Sequence, residues 1–320
     1  MVTELDACFV NLHEGADRSS VGLDAPTALL VYSARQMADV EEDRMQTCLN
    51  AATLRQGLSL EEFITAAGAA GFAGIELRVP AAVALVEAHG LATLRQRLAT
   101  AGLTPAAGGY PAPLRSTAAE FETALAAVPA ACALMRELGI GGGTLVLPPR
   151  QGDGYRVERA ETIERIGRVA RLAASHGLDI YLEFLGLHFP DGLTWTKTLG
   201  DALDIANEVG LPNVGALIDS YHWHLGGSRT EDLARVAGRP VFVHINDSPP
   251  GDVTTLTDAM RVLPGEGILD LPSWLRAIRA ATGYDGFVSL ELFNEPIRAL
   301  DPADGAARSL RSLAAVLAQV

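Results

Sequence analysis

Four short runs late in the chain, LDIYLEF (178–184), NVGALID (213–219), PVFVHIND (240–247) and FVSLELF (287–293), each carry an ionisable residue near the far end: Glu183, Asp219, His244 and Glu291. Runs such as VGALI and FVSL read as strands buried on both faces. A carboxylate directly after such a run is costly to desolvate unless something pairs with it. For one residue a buried ion pair to arginine explains the placement equally well; four in succession point to one shared partner. Three carboxylates and one imidazole are a hard, oxygen-rich donor set, suited to Mn²⁺, Mg²⁺ or Co²⁺ better than to a structural zinc. On consecutive parallel strands of a barrel, the four side chains would meet at the C-terminal mouth.

Reading outward from these runs, β-prone segments alternate with longer amphipathic stretches from about Met45 to the C-terminus. MQTCLNAA (45–52) is the first strand, and its helix opens at Ser59 with the capping-box spelling Ser59-Leu60-Glu61-Glu62. GFAGIELRV, a helix over about 83–100, LTPAAGGY, a helix over about 118–138, GGTLVLP and a helix over about 157–176 lead into LDIYLEF. A helix from Thr198 ends at Gly210 with Pro212 just beyond, a glycine stop. NVGALID, a short helix from Thr230, PVFVHIN, a helix over 271–281, FVSLEL and a last helix from Pro302 complete eight pairs. Eight such pairs predict an α/β fold, a (β/α)8 TIM barrel over residues 45–320 with an N-terminal extension. A doubly wound sheet shows the same alternation, but LNAATLRQG after the first strand lacks the GxGxxG spelling such folds usually carry.

Residues 1–44 fall outside the repeat. They hold nine Asp and Glu against three Arg, a net charge of −6 out of −14 for the chain, and read as an acidic extension, partly ordered or packed on the barrel. The acidic balance, with a pI near 4.9, opposes a nucleic-acid partner. The single lysine, Lys197, leaves Schiff-base chemistry one candidate residue. Cys8, Cys48 and Cys132 are odd in number and far apart, so no disulfide framework is expected. The acidic start MVTELDACFVNL does not resemble a signal peptide, and no apolar run is expected to approach the ~20 residues of a membrane span. A cytoplasmic location is the expectation.

Further candidates surround the four strand ends. His222 stands three residues beyond Asp219, at the expected rim of the site, and His224 reads as a loop histidine. Asn246-Asp247-Ser248-Pro249-Pro250 follows His244 as a polar turn placed to hydrogen-bond the ligands, and the loop continues through Arg261 to LPGEG (263–267). Glu266 suits a turn-capping role as well as chemistry. Asn50, Tyr110, Glu76 and Arg78 close the first three strands and are candidate pocket residues; Glu76 and Arg78 could bind hydroxyls or a carboxylate, or pair with each other.

With GFAGIELR, LEF, IDSYH, VHINDSP, RVLPGEG and GFVSLELF on the page, residues 45–320 resemble the sugar phosphate isomerase/epimerase superfamily. These are the xylose isomerase-like TIM barrels, which include inosose isomerases, inosose dehydratases and ketose 3-epimerases. The resemblance implies one divalent ion held by Glu183, Asp219, His244 and Glu291, with Mn²⁺ expected and Mg²⁺, Co²⁺ or Zn²⁺ as alternatives. It also implies catalysis by Glu183 and Glu291, which would move a proton through a metal-stabilised enediolate. His222, Asn50, Glu76, Arg78, Tyr110, His188, Asp247 and Arg261 are the expected substrate-binding residues.

Departures narrow the field. Ketohexose 3-epimerases place a glutamate six residues after the first ligand and an arginine six after the histidine, where this chain has Phe189 and Pro250. Leu185 stands where xylose isomerases have lysine and where dehydroshikimate dehydratases tend to have histidine, although His188 could reach in from the loop. Without a lysine or glycine-rich loop to support phosphate recognition, an unphosphorylated polyol or keto-sugar is the expected substrate. The expected activity is isomerisation or epimerisation of a keto-sugar or keto-inositol. The alternative is a lyase on the same metal, acting on an inosose, dehydroshikimate-like or 3-keto-glycoside substrate. An apurinic-site endonuclease shares the barrel but needs more histidines and a basic face. No membrane partner is expected, and a homo-oligomer is compatible with the resemblance without being read from the sequence.

Overall fold

The computed structural model describes residues 45–149, 158–188 and 195–320. The acidic extension expected over 1–44, and Phe189, lie outside the described residues. Eight parallel strands form a closed barrel in chain order: β1 Gln46–Leu49, β2 Gly74–Leu77, β3 Thr104–Gly109, β4 Gly142–Val146, β5 Asp179–Glu183, β6 Val214–Asp219, β7 Val241–Ile245 and β8 Phe287–Leu290. β8 closes on β1 through Gln46–Phe287 to Leu49–Leu290. The expected (β/α)8 barrel is therefore the fold.

The outer helices are α1 Leu60–Ala70, α2 Val79–His89, α3 Leu91–Thr100, α4 Ala118–Leu125, α5 Val128–Glu137, α6 Arg159–Ser175, α7 Leu199–Val209, α8 Ser220–Gly226, α9 Leu271–Thr282, α10 Glu295–Arg298 and α11 Pro302–Leu317. The Ser59 capping box forms as spelled, Ser59 Oγ accepting from Glu62 N while Glu62 accepts from Ser59 N. Gly210 ends α7 in the left-handed conformation at φ 69°. The helix expected over 83–100 starts earlier and is two helices. Pro80 is tolerated in the first turn of α2, and Gly90, at φ 82°, ends that helix. The helix expected over 118–138 also divides, at Ala126–Ala127, because Pro129 belongs in a first turn and not in a helix interior. The segment from Thr230 is a 3-10 helix over Thr230–Val236.

Residues 118–137 correct the expectation about apolar runs, since by length and composition they could cross a membrane. In the fold they are α4 and α5, which bury Phe121, Val128, Ala131, Cys132, Leu134 and Met135 against the barrel.

Strand periodicity positions the site. Successive side chains alternate between the barrel axis and the helix layer. Tyr181, Leu217 and Phe242 pack together low in the interior, with Phe287 against them, and Tyr181 stacks on Phe242 at 5.6 Å. Two residues further along the same columns come Glu183, Asp219 and His244, and four beyond Phe287 comes Glu291. The His244 ring sits edge-on above Phe242 at 5.8 Å. The register pairs Asp219 with His244 and His244 with Ser289, which holds these positions at one height. Close strand contact requires a bare backbone at Gly215, where a Cβ would lie 1.9 Å from Pro240 O.

Candidate metal centre

Glu183, Asp219, His244 and Glu291 are all buried, and one ligand atom from each lies within 4.8 Å of the others. His244 Nδ1 faces the three carboxylates at 3.8 Å from Glu183 Oε1, 4.0 Å from Asp219 Oδ2 and 3.5 Å from Glu291 Oε2. Donors ~2.0–2.2 Å from a shared ion stand about 3–4 Å apart. The observed spacings need little adjustment to reach that geometry. Neither ring nitrogen of His244 makes an aligned hydrogen bond, although Nε2 is 2.8 Å from Glu76 Oε1. A buried imidazole with one nitrogen toward a carboxylate and the other toward three carboxylates is what a metal-ligating histidine and its supporting acid require. The donor set fits a divalent cation.

The electrostatics point the same way. Burial and the charge of Glu291 push the Glu183 carboxyl well above its usual range. Burial alone would raise Glu291 as well, but His244 and Arg261 override it and hold that carboxyl down at about 2. Burial would lower His244, yet Glu76 and Glu291 raise it well above an ordinary imidazole. Like charges confined together either bind protons or bind a cation.

The remaining candidates divide by location. Asn50, at the end of β1, donates from Nδ2 to Glu76 Oε1 at 2.9 Å and to Glu291 Oε1 at 3.2 Å. Glu76 is buried and also accepts from Ser289 Oγ at 2.5 Å, so its carboxylate is bound up in orienting His244 and Asn50. Arg78 is exposed at the rim and donates to Leu58 O at 2.6 Å, without pairing with Glu76. Arg261 is buried; its Nη1 donates to Glu291 Oε2 at 2.9 Å and Asp219 Oδ2 at 3.3 Å, and its Nη2 to Asp258 Oδ1 at 2.8 Å. Arg261 Nη2 also lies 2.9 Å from His222 Nε2, which must accept, so Nδ1 carries the proton. Burial and Arg261 lower the His222 pKa, and only 1% of the residue is exposed. Its backbone N–H donates to Asp219 Oδ1 at 2.8 Å, so His222 supports a ligand from behind instead of standing at an open rim.

Three candidates are not brought to the donor cluster. Asp247 is fully buried and accepts from the backbone N–H groups of Ser248, Gly265, Gly267 and Leu269 at 2.8–3.1 Å, which leaves its carboxylate organising the loop that carries Arg261. Tyr110 donates to Asp179 O at 2.9 Å, at the opposite end of β5 from Glu183. His188 Nε2 lies 2.9 Å from Leu225 O. Within the polar turn, Asn246 is the residue that meets a ligand, its Nδ2 donating to Asp219 Oδ2 at 2.9 Å while Ser220 Oγ donates to Asn246 O at 2.7 Å. The sequence signal for Asn246 was its parity, two residues from His244 on the same strand face.

The mouth beside the cluster holds a cavity of about 410 Å3 lined by Glu183, His244, Glu291, Asn50 and Glu76 on one side. The far wall is small or neutral, with Gly109, Thr144 and Val146 among its residues. A Cβ at Gly109 would meet nothing within 4 Å, so the missing side chain leaves that wall open.

Residues 64–316 match the xylose isomerase-like TIM barrel family. The chain belongs to this family. Over 136 residues it is 37% identical to an inosose isomerase of Bacillus velezensis, a stretch covering 42% of this chain and 47% of that protein. Over 162 residues it is 31% identical to a 3-dehydroshikimate dehydratase of Pseudomonas aeruginosa, covering 49% of this chain and 24% of that protein. The chain thus spans less than half the length of either curated relative. Among solved structures, a xylose isomerase domain protein of Alicyclobacillus acidocaldarius superposes with a TM-score of 0.76 at 28% identity, covering 86% of this chain and 99% of that one. The IOLI protein with a bound zinc atom superposes with a TM-score of 0.73 at 24% identity, covering 86% and 99%, a likeness of fold.

Proposed function

We propose that this family member is a divalent-metal-dependent isomerase or epimerase of a keto-sugar or keto-inositol. The observation that carries the reading is the pair Glu183 and Glu291, two buried carboxylates from strands on either side of β6 and β7 that open into one cavity beside a four-donor cluster. Similarity to inosose isomerases at 35–37% identity supports the substrate class. Mn²⁺ is the ion we assign, because oxygen donors dominate the set.

When bound, the ion would supply Lewis acidity to a carbonyl and its neighbouring hydroxyl. The chain's own residues do the rest. Asn246 and His222 fix Asp219 through hydrogen bonds to both of its oxygens. Glu76 fixes the His244 ring. Glu183 and Glu291 both line the cavity, and Glu291 is held by hydrogen bonds from Arg261 and Asn50, so two carboxylates face the substrate space as an acid and base pair. One removes the proton beside the carbonyl and the other returns one to the opposite face or adjacent carbon.

A lyase reading is favoured by one observation, the similarity to 3-dehydroshikimate dehydratases. The two separate on product mass, since elimination of water changes it and isomerisation does not. The test of the shared step is metal-reconstituted protein in D₂O with inososes and 3-keto-sugars, followed by NMR at the carbon beside the carbonyl. Deuterium incorporation that depends on both Glu183 and Glu291 supports the proposal. No incorporation with any of these substrates overturns it.

A further inference from the structure

A second cavity, of about 460 Å3, adjoins the metal-site cavity, and the two share Asn50, Ala51 and Arg78 in their walls. Asn50 touches Glu291, so the second cavity begins one residue from the donor cluster. Its chemistry is the opposite of the first. Arg55, Arg78 and Arg298 all line it, and none of the described residues lining it is acidic. That is a concentrated positive patch in a chain whose net charge is −14.

The arginines are held in different ways. Arg298 is nearly buried and already committed, its Nε and Nη2 donating to Ala52 O, its Nη1 3.7 Å from Glu295 Oε1 and its guanidinium 5.1 Å from the Phe293 ring, so it contributes charge while Arg55 and Arg78 are left to meet a ligand. Arg78 spends Nη1 on Leu58 O and keeps its remaining donors at the seam between the two cavities. Arg55 is exposed on the wall formed after β1. Phe63 and Phe293 supply an apolar floor beneath these charges. Arginine forks recognise carboxylates and phosphates through paired N–H donors. The nearby start of α1 is satisfied by its own capping box and adds no free backbone donors for a larger anion, so a planar carboxylate is the anion we assign.

We infer that this second cavity is an anion subsite that holds the carboxylate of the substrate while the keto end lies at the metal centre. The inference rests on the proposed function and extends it to keto-sugars or cyclic keto-polyols bearing a carboxylate. An anionic substrate approaching an acidic protein would meet a complementary charge at this seam.

The test is calorimetric binding to the metal-loaded full chain, which reads occupancy without requiring turnover. Glucuronate, galacturonate and shikimate are each compared with their methyl esters, pairs that differ in charge at one group. At least tenfold tighter binding of an acid than its ester is expected, with Arg55→Gln and Arg78→Gln each weakening the acid about tenfold and Arg55→Gln, which lies outside the metal-site cavity, leaving the ester unchanged. Ester binding and metal affinity report that the variants fold. Equal binding of acid and ester, no binding of any acid, or acid binding that survives both substitutions overturns the subsite. Tighter competition by inorganic phosphate than by any acid overturns the assignment to carboxylate. Failure of deuterium exchange with retained charge selectivity would sink the proposed reaction and spare the subsite, so the two failures are distinguishable.

Discussion

Replacing Asp247 by alanine should cripple the site from a distance. The carboxylate accepts four backbone N–H groups, from Ser248 at 2.8 Å, Gly265 at 3.0 Å, Gly267 at 3.1 Å and Leu269 at 3.0 Å, and none of its surface is exposed. Hydrogen bonds to a charged group contribute ~1.5–3 kcal/mol each, and a buried donor left unpaired costs ~1–3 kcal/mol. Gly265 is exposed and Gly267 and Leu269 are half-buried, so water can replace part of the loss. A net destabilisation of about 3–5 kcal/mol follows, at the severe end for one substitution. The loop is also tied to β7 by reciprocal backbone bonds between Asp247 and Val262, next to Arg261, so metal affinity should weaken with stability. Urea unfolding of Asp247→Ala and Asp247→Asn measures both sizes. Asparagine keeps one accepting oxygen but turns an N–H₂ toward backbone donors, and should recover less than half the loss. Destabilisation of Asp247→Ala under about 1 kcal/mol would refute the reasoning.

Arg261→Gln removes the buried cation that bridges Asp219 and Glu291, and the metal-free protein should lose ~3–5 kcal/mol, the usual cost of breaking a buried pair. Thermal unfolding with and without metal should show the larger loss without it; equal losses contradict the charge argument. Glu183 and His244 both have folded pKa values raised above the ordinary 4.5 and 6.5, so in metal-free protein their stabilisation is complete below those values and lost as pH rises through the folded ones. Metal must displace those protons, so calorimetry in buffers of differing ionisation enthalpy should show proton release and affinity that rises with pH. Gly186→Ala would put a Cβ 2.2 Å from His222 O, displacing the turn that Asp219 caps; a loss of about 1–3 kcal/mol, read in urea, is expected, and a neutral result would show that α8 yields freely.

The ligand cluster was legible because it obeys a two-residue period. Glu183 follows Tyr181, Asp219 follows Leu217 and His244 follows Phe242 along columns that face one axis, and a linear sequence displays that spacing directly. The same parity argues against two of the expected pocket residues. Tyr110 stands next to the inward-facing Gly109, and Asp247 next to the inward-facing Asn246, so each points to the other side. What the sequence does not display is loop closure. Arg261 reaches Asp219 and Glu291 only because the loop after β7 folds back under Asp247, and the 16 residues between it and His244 have no periodicity to read. The helix breaks at Gly90 and before Pro129 were visible as residues, but hydrophobic patterning that runs through both made each pair look continuous.

Metal titration of the purified chain, with ion content measured after equilibrium dialysis, bears most directly on the centre. We expect one divalent ion per chain, and a loss of affinity in Glu183→Gln, Asp219→Asn, His244→Gln and Glu291→Gln that exceeds the roughly 10–100-fold cost of losing a supporting hydrogen bond. Stoichiometric binding that persists unchanged in any two of these variants, or no binding by the intact protein, would contradict the assignment.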